Sequence, residues 1–352
     1  YAELASLSTP TVPTLQQLAL ENGAIMTETA AIALMVLDRC PDLAPPVGQA
    51  ERQQFQRLLI WFVANVYTTF TYADYPQRWT ADAPEQLREN CIRYRQSLYL
   101  WLEQQLKQKF ALKEAVVASC ESSQEEDQLS TIGQHGAQLV DRLLEPGDII
   151  GFSWGRAVRA LVETLPQASQ SRQVICVPII GGPSGKLESR YHVNTLTYGA
   201  AARLKAESHL ADFPALLENT LIRNGIMQSQ HFKTISSYWE NLDVALVGIG
   251  SPAIRDGANW HAFYGSEESD DLNARHVAGD ICSRFYDING IAVETNMNEK
   301  TLSIDIARLK QVRYSVGIAI GEEKYTGIIG ALRGGYINCL VTNRETAERL
   351  LK

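Results

Sequence analysis

The spacing of apolar residues changes near residue 106, and the change divides the chain into two parts. Before it, apolar positions recur at helical spacing, most clearly in two long runs. Pro84 suits the start of the second run, because its missing N–H would have no partner in the first turn of a helix. The pattern predicts a mostly helical segment over residues 14–106. Its helices are expected at Ala30–Leu37, after a capping Thr27 or Thr29, then at Ala50–Tyr72 and Pro84–Leu106.

Beyond Lys109, short β-branched runs alternate with helical runs. Apolar strands separated by helices are typical of a parallel sheet with helices on both faces, so the predicted fold class is α/β. Ligands of such sheets bind at the carboxyl ends of the strands. The predicted strands are Ala115–Ala118, Ile149–Phe152, Val174–Ile180, Val244–Val247, Ile291–Val293, Tyr314–Ile320 and Ile337–Val341. The predicted helices are Asp127–Leu144, Gly155–Leu165, Leu196–Ala206, Phe232–Leu242, Lys324–Leu332 and Arg344–Leu351.

Glycine turns directly follow two of these strands, at Gly248–Ser251 and Gly321–Lys324. The second turn opens a helix, whose unpaired N–H groups and positive dipole end together form an anion cradle. Lys324 stands in the first helical turn, where the dipole disfavours a cation, and a bound anion would explain its position better than simple solvation. The turns therefore predict a site for a small, polar, phosphorylated ligand.

Composition narrows the classes of function. With 45% hydrophobic and 20% charged residues over 352 positions, the chain is an ordinary globular protein. Its formal charge of −8 argues against non-specific nucleic-acid binding as its main task. Six scattered cysteines indicate free buried thiols, not a zinc site or a disulfide framework. We expect no cofactor and no metal, since His261, His276 and Asp280 lack metal-ligand spacing.

Several segments of the second part, taken in order, resemble a known family. The segments are Gly151–Arg156, Val177–Gly182, Asp243–Ser251, Gly279–Asp287, Gly321–Lys324 and Gly330–Thr342. Together they resemble the effector-binding domain of the SorC/DeoR-type sugar-responsive transcriptional regulators, over residues 101–352. The preceding stretch Leu102–Val117 is similar to the segment that leads into that domain.

This resemblance implies a sheet like that of sugar-phosphate isomerases and deaminases, used for sensing and not for turnover. It implies a cytoplasmic homo-oligomer, a dimer or a tetramer, that has no contact with membranes. Its affinity for operator DNA would change when a sugar or a sugar phosphate binds. The DNA would be bound by a winged helix–turn–helix, a module that we do not find in the 352 residues.

The resemblance also assigns site residues. Three loops would contact hydroxyl or phosphate groups of the ligand. Asp280 and Arg284 would lie near the sugar. Lys324 would contact the anion or the carbonyl of the ligand. From the residues themselves, Ser153 can equally be a plain helix cap, and Trp154 can be core. Asn194 precedes a helical run, either as an N-cap or as a hydroxyl partner. The three loops are Ser153, Trp154 and Gly155; Gly181 and Gly182; and Gly250 and Ser251.

The first part resembles a different family. Thr11–Leu15, Glu21–Gly23 and Met26–Ile32 are similar to the second half of the thioredoxin-like domain of glutathione S-transferases. The resemblance implies glutathione-like contacts by Val12, Pro13, Glu28 and Thr29, with a cis bond before Pro13. No match covers the residue that activates the thiol in that family, so we expect no transferase chemistry. The predicted domains are residues 1–100 and 101–352.

Two other functions remain open at this stage. The same sheet can carry a sugar-phosphate isomerase or deaminase, which needs a general base, and Asp280 and Glu322 are the nearby candidates. Turnover of a ketose or amino-sugar phosphate would distinguish that enzyme from a sensor. Residues 1–100 can alternatively act as a glutathione-binding fragment, which retention on immobilised glutathione would reveal.

Overall fold

A computed structural model of the chain describes residues 17–19, 25–27, 34, 40, 44–120, 122, 124–252, 264 and 266–351. The chain packs into two compact units. Among the described residues, one unit comprises those up to Leu98 and the other comprises those within Tyr99–Leu351.

The described part of the first unit is mainly helical, as predicted. Its long apolar run is three consecutive helical pieces, because a π-helical turn interrupts it. Arg95 is 4% exposed, donates to the Oγ1 atom of Thr69 at 3.1 Å and lies 3.7 Å over the ring of Phe70. These contacts join the second and third helices of the unit. The elements are β1 (Gln17–Ala19), antiparallel to β2 (Ile25–Thr27), α1 (Ala50–Trp61), the π turn Phe62–Tyr67, α2 (Thr68–Asp74) and α3 (Pro84–Phe110).

The second unit contains a seven-stranded parallel sheet, which confirms the predicted α/β class. The strand order across the sheet is β3-β11-β10-β7-β4-β5-β6, and a separate antiparallel hairpin is formed by β8 and β9. The strands are β3 (Glu114–Ala118), β4 (Ile149–Phe152), β5 (Ile175–Pro178), β6 (Glu207–Ser208), β7 (Val244–Gly248), β8 (Gly279–Ile281), β9 (Arg284–Tyr286), β10 (Tyr314–Ile318) and β11 (Cys339–Asn343).

Helices separate most of these strands along the chain. The sheet packs on helices through fully buried aliphatic residues such as Ile150, Leu161 and Val341, as expected for a sheet whose strands are apolar throughout. The helices are α4 (Glu125–Leu143), α5 (Arg156–Thr164), α6 (Val193–Leu204), α7 (Thr220–Gln228), α8 (Gln230–Trp239), α9 (Ser266–Ala274), α10 (Ile306–Leu309), α11 (Tyr325–Arg333) and α12 (Arg344–Leu351).

The order of the strands creates a switch point between β4 and β7. From β4 the chain moves outward to β5 and β6, and it then returns to β7 on the other side of β4. The two central strands are parallel neighbours, with Gly151 opposite Ala245. The loops that follow them therefore lead away from each other and leave a crevice at their carboxyl ends, the usual ligand position in open α/β sheets.

One predicted strand is wrong. Residues Ile291–Val293 form only a single bridge, between Ala292 and Tyr286, and Ile291 is 65% exposed. Three β-branched or apolar residues are too few to show whether a segment is buried. The same limit explains why β1, β2, β6 and the β8–β9 hairpin were not predicted. Among the described helices, none is both long and apolar enough to cross a membrane.

Candidate functional site

A cavity of about 580 Å³ opens at the switch point. We call it the switch-point cavity. Loops at the carboxyl ends of β4, β7 and β10 all contribute to its wall, as does the β8–β9 hairpin. Six of the predicted effector-binding residues line it, namely Ser153, Trp154, Gly155, Gly250, Asp280 and Lys324.

Ser153 links the loop after β4 to the end of β7. It is 2% exposed, and its Oγ atom accepts a hydrogen bond of 3.0 Å from the backbone N–H of Gly248. Its own N–H donates to the carbonyl of Leu246 at 3.0 Å. Ser153 is thus not the helix cap that its position allowed. It links the two sides of the crevice between β4 and β7.

The N-terminus of α5 faces the cavity. Gly155 precedes it with a φ of +115°, a backbone conformation that strongly favours glycine. Among the described residues, no side chain caps this helix. The first N–H groups of an α-helix lack intrahelical partners, so this end offers donors and a positive dipole to an anion.

Lys324 brings a cation to the same cavity. It is half-buried, and its Nζ atom donates to the carbonyl of Ile249 at 2.5 Å. Burial lowers its pKa to about 8, although the nearby charges of Asp280 and Glu323 favour the protonated form. An ammonium group with this pKa is largely charged at neutral pH, and a bound anion would favour its charge further.

Asp280 is buried and held on several sides. Its backbone N–H and carbonyl exchange hydrogen bonds of 3.3 and 2.9 Å with Gly250. Its Oδ2 atom accepts a bond of 3.2 Å from the N–H of Ser283. Ser251, one residue past Gly250, donates from Oγ to the carbonyl of Glu323 at 2.6 Å. Ser251 therefore links the loop after β7 to the Lys324 turn and does not itself line the cavity.

The second predicted loop does not line the switch-point cavity. Gly181 donates to the carbonyl of Leu302, and a side chain there would collide with the backbone of Pro214 at 2.5 Å. Gly182 similarly exchanges backbone bonds with residues 213 and 215. Glycine suits both positions because neighbouring segments of the chain pack directly against them. In this structure the two glycines therefore serve packing.

Asn194 and Arg284, two further predicted site residues, also lie outside this cavity. Both polar ends of the Asn194 side chain bond the backbone of Ala211, at 2.9 Å each. Arg284 donates to the Oγ of Ser303 and to the carbonyls of residues 298, 301 and 303, at 3.0–3.5 Å. The two side chains are turned toward neighbouring backbone, which sequence spacing does not reveal.

Arg284 lines a different cavity of about 1020 Å³, which we call the Arg284 cavity. Arg223, Lys310, Asp305 and Tyr336 are also part of its wall. Burial lowers the pKa of Arg284, and the charge of Asp305 opposes that effect.

Sequence reasoning missed several residues of the switch-point cavity. Arg156 directly follows the predicted Gly155 and pairs with Glu125 at 2.5 Å. The others are Lys186, Tyr191 and Tyr264. Lys186 directly follows Gly185, close to the predicted Gly181–Gly182 loop. Arg156 could have been found, because a cation in the first turn of α5 is the same anomaly that drew attention to Lys324.

The predicted glutathione-like residues Val12, Pro13, Glu28 and Thr29 lie outside the described residues. Within the part of the chain that the structure describes, no group of three or more His, Cys, Asp or Glu side chains could hold a metal ion. Glu322, the alternative catalytic base, is exposed and pairs with Arg349 at 2.7 Å.

The fold and the cavity define an α/β domain with a cavity of small-molecule size, and comparison with known proteins gives its family. Residues 94–352 match the family model described as a putative sugar-binding domain. The chain belongs to this family, which here corresponds to the SorC/DeoR-type sugar-responsive regulators.

Named relatives agree with this assignment. The sorbitol operon regulator of Klebsiella pneumoniae is 85% identical over 261 residues, which cover 74% of this chain and 83% of the relative. The crystal structure of the full-length sorbitol operon regulator SorC from the same organism is 74% identical, with a TM-score of 0.71; the match covers 82% of this chain and 99% of that one. These relatives are named as operon regulators, which favours sensing over the isomerase alternative.

The first part of the chain has a separate relative. An uncharacterized GST-like protein of Escherichia coli K12 is 76% identical over 95 residues, covering 27% of this chain. The match spans only 45% of that relative. This agrees with the resemblance of residues 1–100 to part of a glutathione S-transferase.

Proposed function

We propose that the switch-point cavity binds a sugar phosphate, and that this binding regulates the affinity of the protein for operator DNA. One observation carries the proposal: an uncapped helix N-terminus, a buried carboxylate and Lys324 share one cavity at the carboxyl ends of parallel strands. In this arrangement the phosphoryl group lies between the N-terminus of α5 and the ammonium of Lys324. Asp280 accepts hydrogen bonds from sugar hydroxyls, and Trp154 offers an aromatic face.

Size and charge support a ligand of this type. A cavity of about 580 Å³ lies within the usual range for small-molecule sites, roughly 300–1,000 Å³. Both signs of charge are present in its wall, which suits a ligand with one anionic end and a hydroxylated body. The charged residues are Arg156, Lys186 and Lys324 on the positive side, and Glu125, Glu188, Asp280 and Glu323 on the negative side.

Regulation would follow from the position of the site. A ligand that bridges the loops after β4, β7 and β10 favours the protein state in which those loops stand at the bridging distance. An oligomer with two states then changes its DNA affinity by the difference in ligand affinity between the states. We propose that the protein acts in the cytoplasm as a homo-oligomer and binds operator DNA only through a winged helix–turn–helix, a module that we do not find in the 352 residues. Because of its regulator relative, sorbitol 6-phosphate is the first ligand to test.

The test is ligand binding by calorimetry and by thermal unfolding. We expect one phosphorylated sugar among sorbitol 6-phosphate, fructose 6-phosphate and a pentose phosphate to bind and to raise the free energy of unfolding. At a hundredfold excess over Kd the gain should be about 2.7 kcal/mol. Unphosphorylated sorbitol and inorganic phosphate serve as separate controls for the two halves of the ligand. Absence of binding across the panel would contradict the proposal.

A further inference from the structure

The turn that connects β8 and β9 has an unfavourable backbone conformation. Ile281 pairs with Arg284, so the turn consists of Cys282 and Ser283 alone. Both have a left-handed backbone, with φ values of +55° and +56°, and both are buried. Two-residue turns with two positive φ values strongly prefer Asn-Gly, because a side chain crowds the backbone in this region. A turn with two side chains persists only when its surroundings hold it.

Among the described contacts, two hydrogen bonds help to hold this turn. The N–H of Ser283 donates to the Oδ2 atom of Asp280 at 3.2 Å. The hydroxyl of Tyr264 donates to the Oγ atom of Ser283 at 2.9 Å. Tyr264 is itself 7% exposed and packs edge-on against the ring of Phe285, with 5.5 Å between centroids. The orientation of the Asp280 carboxylate is thereby coupled to the turn, and the turn is coupled to Tyr264.

The chain therefore has an aspartate in the cavity whose side chain is oriented by a strained turn. The backbone of Asp280 is fixed independently, through its pair of bonds with Gly250. Loss of the turn would consequently leave the backbone of Asp280 in place but remove one of the hydrogen bonds that orient its carboxylate. Strain of this kind is common where a site must be preorganised for a ligand.

We propose that Tyr264 and Ser283 are positioning residues of the effector site: they hold the Cys282–Ser283 turn and through it aim the Asp280 carboxylate at the ligand. This inference rests on the proposed function, since it presumes that Asp280 meets the effector. The inference adds Tyr264 and Ser283 to the proposed effector site, although neither was predicted from a glycine turn or a charge pattern. It also gives a reason for serine at a position where glycine would be less strained.

Ser283→Gly separates positioning from stability. Glycine keeps the N–H that bonds Asp280 and adopts the left-handed backbone without strain, but it removes the hydroxyl that Tyr264 contacts. We expect an unfolding temperature at or above that of the wild type. The Kd for sorbitol 6-phosphate should nevertheless rise about three- to tenfold, the effect of one lost hydrogen bond. If Ser283 had only a structural role, Ser283→Gly would change the unfolding temperature and the ligand affinity in the same direction.

Tyr264→Phe removes a single hydroxyl, and Tyr336→Phe is its matched control. The hydroxyl of Tyr336 is equally buried and donates to the carbonyl of Gly290 at 2.7 Å, away from the turn. We expect Tyr264→Phe to raise the Kd about three- to tenfold and Tyr336→Phe to leave it unchanged. Combined with Asp280→Asn, Tyr264→Phe should add little further loss, because its effect passes through Asp280.

The outcomes are distinguishable. If wild-type protein binds sorbitol 6-phosphate and both Ser283→Gly and Tyr264→Phe bind it equally well, the positioning role is wrong and the proposed function stands. Full additivity of Tyr264→Phe with Asp280→Asn would also overturn the positioning role. If the wild type itself binds neither sorbitol 6-phosphate nor the other sugar phosphates, the proposed function fails, and this inference falls with it.

Discussion

Two cavities of the second unit, the Arg284 cavity and the switch-point cavity, differ in what Arg284 and Lys324 already bind. In the Arg284 cavity, the guanidinium of Arg284 donates to four oxygens of the protein itself. In the switch-point cavity, the ammonium of Lys324 has three donors, and its described hydrogen bond is to the carbonyl of Ile249. A cation whose donors are occupied by backbone stabilises the fold, whereas one with donors to spare can receive a ligand. By this comparison, Lys324 is better placed than Arg284 to bind the anionic end of the effector.

The largest effect should follow from Lys324→Ala. Loss of a charged hydrogen-bond donor to a phosphoryl group should raise the Kd for sorbitol 6-phosphate about a hundredfold, roughly 2.7 kcal/mol. Unphosphorylated sorbitol should lose far less, because it offers no anion. Lys310→Ala removes an exposed lysine from the Arg284 cavity and should leave both affinities unchanged. Equal weakening of both ligands by Lys324→Ala would remove Lys324 from the anion site.

Arg284→Ala should have the reverse effect of Lys324→Ala: it should lower stability and leave ligand affinity almost unchanged. The mutation leaves buried carbonyls of the 298–303 segment without their donor, so the free energy of unfolding should fall by about 2 kcal/mol. Affinity for sorbitol 6-phosphate should change less than about twofold in the folded protein. Urea unfolding and calorimetry of the same preparation check the two statements. A large loss of affinity at unchanged stability would reverse our assignment of the two cavities.

Binding should also depend on pH through Lys324. Its pKa of about 8 means that the ammonium is mostly charged at pH 7 and mostly neutral at pH 9. The phosphoryl group keeps its charge over this range, because its second pKa is about 6. Affinity for the phosphorylated ligand should therefore fall as pH rises through 8, by up to about tenfold. Lys324→Arg should bind with little pH dependence, since guanidinium stays charged. A flat wild-type profile would contradict the role of the ammonium.

The smallest of the four effects should come from Ser153→Ala. The buried N–H of Gly248 would lose its acceptor, and the free energy of unfolding should fall by about 1 kcal/mol. Ser237 provides a matched control, because its hydroxyl is exposed and bonds only within its own helix among the described contacts. Urea titration of both variants tests the difference. If Ser153→Ala is as stable as Ser237→Ala, then the link that Ser153 makes across the crevice does not stabilise the fold.

The sequence predicted the fold class and several residues that line the switch-point cavity, for a physical reason. Buried parallel strands and the turns that follow them leave strong local signals, so β4, β7 and their loops were located together with Ser153, Gly250 and Lys324. The sequence did not show that Arg284 and Asn194 lie outside this cavity, because the direction of a polar side chain depends on backbone acceptors distant in the chain, such as residues 211 and 298–303. The β8–β9 turn was missed because Cys-Ser carries no turn signal; tertiary contacts hold it instead.

The central claim is that phosphate is bound at the switch point and not beside Arg284. The most direct test is a crystal structure of the chain grown with sorbitol 6-phosphate, in which the phosphorus position is read from difference density. The account predicts the phosphoryl group between the first N–H groups of α5 and the Nζ atom of Lys324, with Asp280 on the hydroxyls. A phosphoryl group bound in the Arg284 cavity, with the switch-point cavity empty, would contradict it.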